Sequence, residues 1–189
     1  MHPTDRDGAD AKRRIQERAR ELGFLALGVA PASVPDVERE RLLRWLGRGY
    51  HGSMSWMESQ KELRLDPQSL LPGARSILMG AFNYYPGGET DPGPSWISRY
   101  ARGRDYHKTI RKLWRALLPT VEEVLPGVRV RWFVDSAPML EKYHAERAGI
   151  GWRAKNANVI RKGEGSWFFL GGMLIDRDLP HDSPAPDHC

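Results

Sequence analysis

Apolar residues along the chain recur with two periods, and the switches between them outline the elements. Ile15, Ala19 and Leu22 fall at helical spacing, which predicts a helix from Asp10 to a stop at Gly23, behind a loose polar arm over residues 1–9. Residues 24–29 form a short apolar run closed by Pro31 and read as a buried strand. Leu42, Leu43, Trp45 and Leu46 give residues 35–48 the apolar face of a second helix, ended by Gly49 and Gly52. A short helix through Met54 and Met57 follows, and Asp66-Pro67 and Leu71-Pro72-Gly73 punctuate a connecting loop. Residues 76–82 read as a strand, and residues 84–98, rich in Gly and Pro, as an irregular surface segment.

A longer helix is predicted to begin near Arg104. Ile110, Leu113, Trp114, Leu117 and Leu118 make its core-facing stripe. Pro119 and the capping-box pattern Thr120-Val121-Glu122-Glu123 predict a kink or a restart. Residues 128–134 alternate and then turn apolar, which predicts a strand, and residues 138–149 fit a helix. Residues 157–161 and 166–175 read as two strands joined in a hairpin by a turn over residues 162–165. Residues 180–189 hold three prolines and two histidines and read as a linker. Interleaved helices and strands with an antiparallel end predict an α/β (α+β) fold, a layered sandwich with a mixed sheet flanked by helices.

Composition narrows the class. The chain has 189 residues, 40% hydrophobic and 28% charged, enough to bury the core of one domain and too apolar for a disordered protein. A net charge of +5 leans mildly toward an anionic partner. The single cysteine, Cys189, excludes an internal disulfide framework and a closed thiolate metal site. The longest apolar run, residues 167–175, is too short for a bilayer, and no apolar stretch follows the N-terminal charges as in a secretory signal. A soluble, cytoplasmic monomer without membrane contact is expected.

Four features carry candidate chemistry. Asp135 ends an apolar strand, where α/β proteins bind ligands, and a partly buried carboxylate there could donate a proton near neutral pH. The pattern alone favours a helix N-cap instead, since Pro138 follows closely. Gly149-Ile150-Gly151-Trp152-Arg153-Ala154 matches the dinucleotide fingerprint G-x-G-x-x-A, but it follows a predicted helix, so a helix stop is the better reading. Residues 99–115 hold seven Lys or Arg and one acid, with Tyr100, Tyr106 and Trp114 among them. Such a stripe suits a nucleic-acid backbone as well as it suits a solvated helix face. His181, His188 and Cys189 are too few to close a zinc site.

Six stretches in order resemble the epoxyqueuosine reductases. They are Arg64-Leu65-Asp66-Pro67; residues 70–77; Arg99-Tyr100-Ala101-Arg102-Gly103-Arg104-Asp105-Tyr106-His107; Phe133-Val134-Asp135-Ser136-Ala137-Pro138; Ala148-Gly149-Ile150-Gly151-Trp152 with Lys155-Asn156; and residues 165–171. The resemblance implies a cobalamin-binding domain over residues 1–178, similar to cobalamin-processing and reductive dehalogenase domains. Residues 179–189 would be a linker and the first residue of a ferredoxin-like domain. It implies an oxidoreductase that reduces epoxyqueuosine to queuosine in tRNA, with two [4Fe–4S] clusters feeding electrons to cobalt from an unnamed donor. It moves Asp135 from cap to proton donor. It implies cobalamin contacts at Arg64, Ser98, Asp135, Val159 and Leu170, and makes Cys189 the first ligand of the first cluster. A [4Fe–4S] centre needs four thiolates, so the ending at Cys189 is expected to mark a truncated chain or one that works with a separate cluster-bearing polypeptide. A cobalamin carrier without catalysis and a tRNA-binding protein using residues 99–115 are the alternatives.

Overall fold

A computed structural model describes residues 3–85, 96–135 and 137–189 of the chain. The described helices are α1 (Pro3–Glu21), α2 (Asp36–Gly47), α3 (Ser55–Ser59), α4 (Lys61–Leu65), α5 (Tyr106–Val124) and α6 (Glu141–Arg147). The strands are β1 (Ala26–Pro31), β2 (Ser76–Asn83), β3 (Val130–Phe133), β4 (Trp152–Arg153), β5 (Val159–Ile160) and β6 (Phe168–Ile175). Short 3-10 turns occupy Pro67–Ser69 and Arg99–Ala101.

Four strands form the main sheet in the order β1-β2-β6-β3. The layered α/β sandwich is as expected, and every pairing in this sheet is antiparallel rather than mixed. Successive side chains on a strand point to opposite faces. On β2, Ile77 and Met79 enter one core and Leu78 the other; on β6, Leu174 enters the first and Met173 and Ile175 the second. Helices must therefore cover both faces. Ile15 and Ala19 of α1 and Ile110, Trp114, Leu117 and Val121 of α5 close one face, and Ala145 of α6 closes the other. Each fully buried Leu, Ile or Met contributes roughly 1.5–3 kcal/mol. On the second face α6 packs so closely that a Cβ on Gly28 would stand 1.9 Å from the Ala148 carbonyl oxygen, which leaves only glycine there.

Several expectations are corrected. The N-terminal arm is helical from Pro3, a residue whose missing N–H costs nothing at the first helical position. Pro119 neither kinks nor restarts α5, which runs through it to Val124. Pro119 and Arg115 are both exposed, so water can meet the Arg115 carbonyl that loses its partner. The predicted hairpin between residues 157–161 and 166–175 does not form. The glycine-rich turn is present, with a single bridge between Arg161 and Gly165, but β5 pairs with β4 while β6 runs into the middle of the main sheet. A continuously apolar strand such as β6 is best satisfied between two neighbours with cores on both faces. Gly149, at φ +70, follows the end of α6, so the G-x-G-x-x-A sequence is a helix stop. Most of the irregular segment expected over residues 84–98 lies outside the described residues.

The last ten residues form no helix or strand. They are nevertheless tied to the outer side of β1. The Asp182 N–H donates to the Val29 carbonyl at 2.8 Å, and the Asp182 Oδ2 accepts the Val29 N–H at 2.8 Å. Lys12 Nζ donates to Asp182 Oδ1 at 2.7 Å, which fastens α1 to the same point.

Candidate active site

After the buried Phe133 at the end of β3, the chain passes the buried Val134 and turns sharply at Asp135, whose φ is +54. A left-handed residue other than glycine costs of order 1–3 kcal/mol and persists only where the surroundings hold it. Two groups do so here. The Asp135 N–H donates to Oε1 of Glu141 at 2.9 Å, and the Asp135 Oδ2 accepts the Tyr106 hydroxyl at 2.9 Å. A hydrogen bond with a charged acceptor returns roughly 1.5–3 kcal/mol, the same size as the strain. The Asp135 carboxylate is 65% exposed and so open to a ligand.

Asp135 caps no helix. The N-cap of α6 is Leu140, which makes no side-chain cap bond, and α6 begins at Glu141. The capping role that the pattern favoured is therefore overturned. Ser136 lies outside the described residues.

The opposite wall of the turn is the start of α5. Asp105 caps it by accepting the His107 N–H at 3.0 Å, and its Oδ1 lies 3.1 Å from His107 Nδ1. That cap fixes Tyr106 and His107 on the first turn. Three rings stack in sequence: His107 on Tyr106 at 4.0 Å, and Tyr106 on Phe169 at 4.0 Å with the planes 5° apart. His107 Nε2 is 3.5 Å from Asp135 Oδ2. Burial, followed by the Asp135 carboxylate, pushes the Tyr106 phenol above its ordinary range, so it stays protonated and remains a donor.

Glu141 lies on the other side. Burial pushes its carboxyl up to about 7, and the Asp135 charge adds to the rise, while the Asp135 N–H, Arg64 and Lys142 oppose it. It opens onto a cavity of about 500 Å³ with apolar walls from Leu42, Trp45, Met57, Met139 and Leu140 and a charged margin at Arg41, Arg64, Lys142 and Arg153. Burial holds the Arg64 guanidinium below its ordinary value, and its Nε has no partner among the described residues. One wall of this cavity is braced by ions. Arg153 donates to both carboxylate oxygens of Glu38, at 2.7 and 2.9 Å, and to Glu146 at 2.8 Å, which ties α2 to α6 through β4.

A second cavity, of about 380 Å³, adjoins Tyr106 and is lined by Tyr84, Arg99, Tyr100, Arg104 and Phe169. Asp135 thus bonds through its backbone to the wall of one cavity and through its side chain to the wall of the other.

The residues expected to contact a cofactor are distributed around this turn. Arg64 faces Glu141 electrostatically, and Glu141 holds Asp135. Val159 is buried in the core cluster that also contains Met139, and Leu170 packs against that cluster. Ser98 is exposed and precedes the turn Arg99–Ala101, where Tyr100 meets Phe169 edge-on at 6.5 Å. No hydrogen bond or ion pair among the described residues joins Ser98, Val159 or Leu170 to Asp135. Cys189 is exposed, and its Sγ accepts the Trp152 Nε1–H at 3.4 Å. Among the described residues no group of three His, Cys, Asp or Glu side chains could hold a metal. Tyr106, His107 and Glu141 were not singled out as site residues. The first two stand inside the Arg99-to-His107 stretch, whose density of positive charge suits RNA and a solvated helix face equally.

The basic run is divided by the fold. Arg99 lies over the rings of Tyr85 and Trp167, and Arg102 donates to the Ile97 carbonyl at 2.6 Å. Lys108, Arg111, Lys112 and Arg115 are exposed along α5.

A family model described as epoxyqueuosine reductase QueG, DUF1730, matches residues 64–136. An epoxyqueuosine reductase of Leadbetterella byssophila is 41% identical over 180 residues, which cover 95% of this chain and 60% of that protein. This chain is a relative of the epoxyqueuosine reductases. The chain spans about half to three fifths of the length of the curated relatives it matches. An epoxyqueuosine reductase crystallised with an epoxyqueuosine-modified tRNA-Tyr stem loop superposes with a TM-score of 0.84 at 28% identity, over 95% of this chain and 49% of that one. The Bacillus subtilis epoxyqueuosine reductase, in a structure with its catalytic aspartate loop swung out of the active site, gives 0.80 at 25% identity, over 95% of this chain and 49% of that one. A reductive dehalogenase structure, described as suggesting a mechanism for B12-dependent dehalogenation, shares the fold, with a TM-score of 0.59 at 17% identity over 96% of this chain and 22% of that one. No described helix is long and apolar enough to cross a membrane.

Proposed function

We propose that this chain binds cobalamin and supplies Asp135 as proton donor for the reduction of epoxyqueuosine to queuosine in tRNA, in the cytoplasm. The observation that carries the reading is Asp135 itself. It is an exposed carboxylate at a strand end, held in a strained turn by Tyr106 and Glu141, in a chain similar to epoxyqueuosine reductases over nearly all its length. The swung-out aspartate loop of the Bacillus subtilis enzyme is what such a turn would give if its two ties were released.

The residues present suit the cofactor. A corrin is broad and apolar with amides at its rim. The wall formed by Leu42, Met57, Met139 and Leu140 offers an apolar face, and the unpartnered Arg64 Nε–H and the exposed Ser98 hydroxyl offer donors to the amides. Val159 and Leu170 would add the apolar support of the cluster shared with Met139. When bound, cobalamin supplies the reducing electrons. A single thiol does not hold a [4Fe–4S] cluster, and Cys189 would be at most one of four ligands.

Conversion of an epoxide to an alkene releases one water and takes up two electrons and two protons. Asp135 in its acid form gives one of these protons to the departing oxygen, and water supplies the other. Tyr106 occupies Oδ2, which leaves Oδ1 for the substrate. Because the Tyr106 phenol is held above its ordinary range, it orients the carboxyl without losing its own proton. The test is to titrate the chain with cob(II)alamin and follow its absorbance. A saturable change to the base-off spectrum is expected; a spectrum unchanged from free cofactor would overturn the assignment.

A further inference from the structure

We propose that Glu141 is the latch of the Asp135 turn, a positioning residue whose ionised carboxylate keeps Asp135 left-handed and aimed at Tyr106, and whose protonation loosens that hold. The proposal deepens the reading of Asp135 as proton donor, and its purpose rests on that reading, although the latch itself is a property of the protein alone.

Three observations converge on Glu141. It is the first residue of α6, and its Oε1 accepts the backbone N–H of a residue six positions earlier, so the bond closes the loop between β3 and α6. The residue it holds is one of two described non-glycine residues at positive φ, the other being Ala157. Strain of that kind is kept only by a specific partner. The half-buried carboxylate also stands at the edge of the apolar cavity, so its charge is costly and its protonation falls in the neutral range.

The groups that face it set the direction. Asp135 at the end of β3 repels its charge, Arg64 from α4 and Lys142 on its own helix attract it, and Tyr106 from α5 adjoins it as a neutral phenol. An anionic acceptor holds an N–H more firmly than a neutral carboxyl does. Raising the pH through neutrality therefore tightens the turn, and lowering it loosens the turn. A carboxamide keeps the acceptor oxygen but cannot titrate, whereas an alkyl side chain removes it.

The test uses backbone amide NMR of the 189-residue chain without cofactor. In the unaltered protein the Asp135 amide resonance should move with pH through a midpoint near 7. In Glu141→Gln that transition should vanish, while hydrogen exchange at Asp135 stays slower than in Glu141→Ala. In Glu141→Ala the exchange should quicken at least tenfold at this amide, with core amides such as that of Met79 unchanged. In Asp135→Asn the midpoint should fall, because a repelling charge is gone. A transition near 7 that survives in Glu141→Gln, or exchange in Glu141→Ala equal to that of the unaltered chain, would overturn the latch. Since no cobalamin is present, these results stand whether or not the cofactor assignment holds.

Discussion

The Tyr106 hydroxyl reaches Asp135 Oδ2 across 2.9 Å and so joins the first turn of α5 to the end of β3. Tyr106 in turn lies flat on Phe169 of β6. A side chain just beyond β3 is thereby referred to a ring on an interior strand, and the position of Asp135 depends on packing as well as on its own turn.

Replacing Asp135 by Asn keeps the shape and the acceptor for Tyr106 but removes the proton. With a reductant supplied, cobalamin affinity is expected to change little, and turnover of the modified tRNA to fall by about 10²–10⁴, the usual worth of a placed acid. Near-normal turnover would return Asp135 to a structural role.

Replacing Arg153 by Ala should destabilise the chain by roughly 2–3 kcal/mol, somewhat below the range for a fully buried pair, because Glu38 is left 9% exposed and Arg153 itself is 26% exposed. Arg41 still meets Glu38 but lies largely in solvent. Urea unfolding at pH 7 measures the loss. A midpoint equal to that of the unaltered chain would show that α2 is held by packing alone.

His144 predicts the acid limb of the stability curve. It is fully buried in α6, neither ring nitrogen has a partner among the described residues, and burial depresses it from 6.5 to about 3. The unfolded chain therefore binds a proton that the folded chain refuses, and stability falls as pH drops from about 6.5 toward 3, by up to roughly 5 kcal/mol. Glu141 acts with the opposite sign: raised to about 7, it favours the folded chain at low pH, and that contribution is lost as pH rises from about 4.5 through 7. In His144→Leu the urea midpoint should drop less between pH 6.5 and pH 4 than in the unaltered protein. Equal slopes would mean that His144 is protonated in the fold.

Neutralising Lys108, Arg111 and Lys112 together should weaken binding of an anticodon stem loop and flatten its salt dependence, by up to about one power of salt concentration for each phosphate that is no longer neutralised. The cobalamin spectrum should not change. Arg99 and Arg102 are poor choices for this experiment, since the rings and the carbonyl they touch make their loss structural. Unaltered RNA affinity would assign the exposed face of α5 to solvation.

Much of the fold was legible because the helices and strands carry clean periods. The stripe from Ile110 to Leu117 became the buried side of α5, and the apolar run ending at Val134 became β3 and its exit. Strand order was less legible. A glycine-rich turn before β6 suggested pairing with the preceding strand, but pairing is decided by which neighbours bury both faces of β6, a matter of distant residues such as Ile77 and Met79. The site divided in the same way. Asp135 was visible from its place at a strand end and from its motif. Glu141 looked like an ordinary acid at a helix start, because only the left-handed turn folds the Asp135 amide back onto it. Tyr106 and His107 gained their roles from the Asp105 cap, which the surrounding arginines obscured.

The hold of Asp182 on Val29 has a bearing on solubility. With Asp182 in place, the amide and carbonyl of Val29 are satisfied within the molecule. A shortened chain that ended at residue 178 would leave them bare on a twisted ribbon rich in Val, Ala and Leu, a template on which another copy could lay its own backbone. Such a product should self-associate more readily than one that keeps Asp182, so residues 179–189 guard this margin of the sheet.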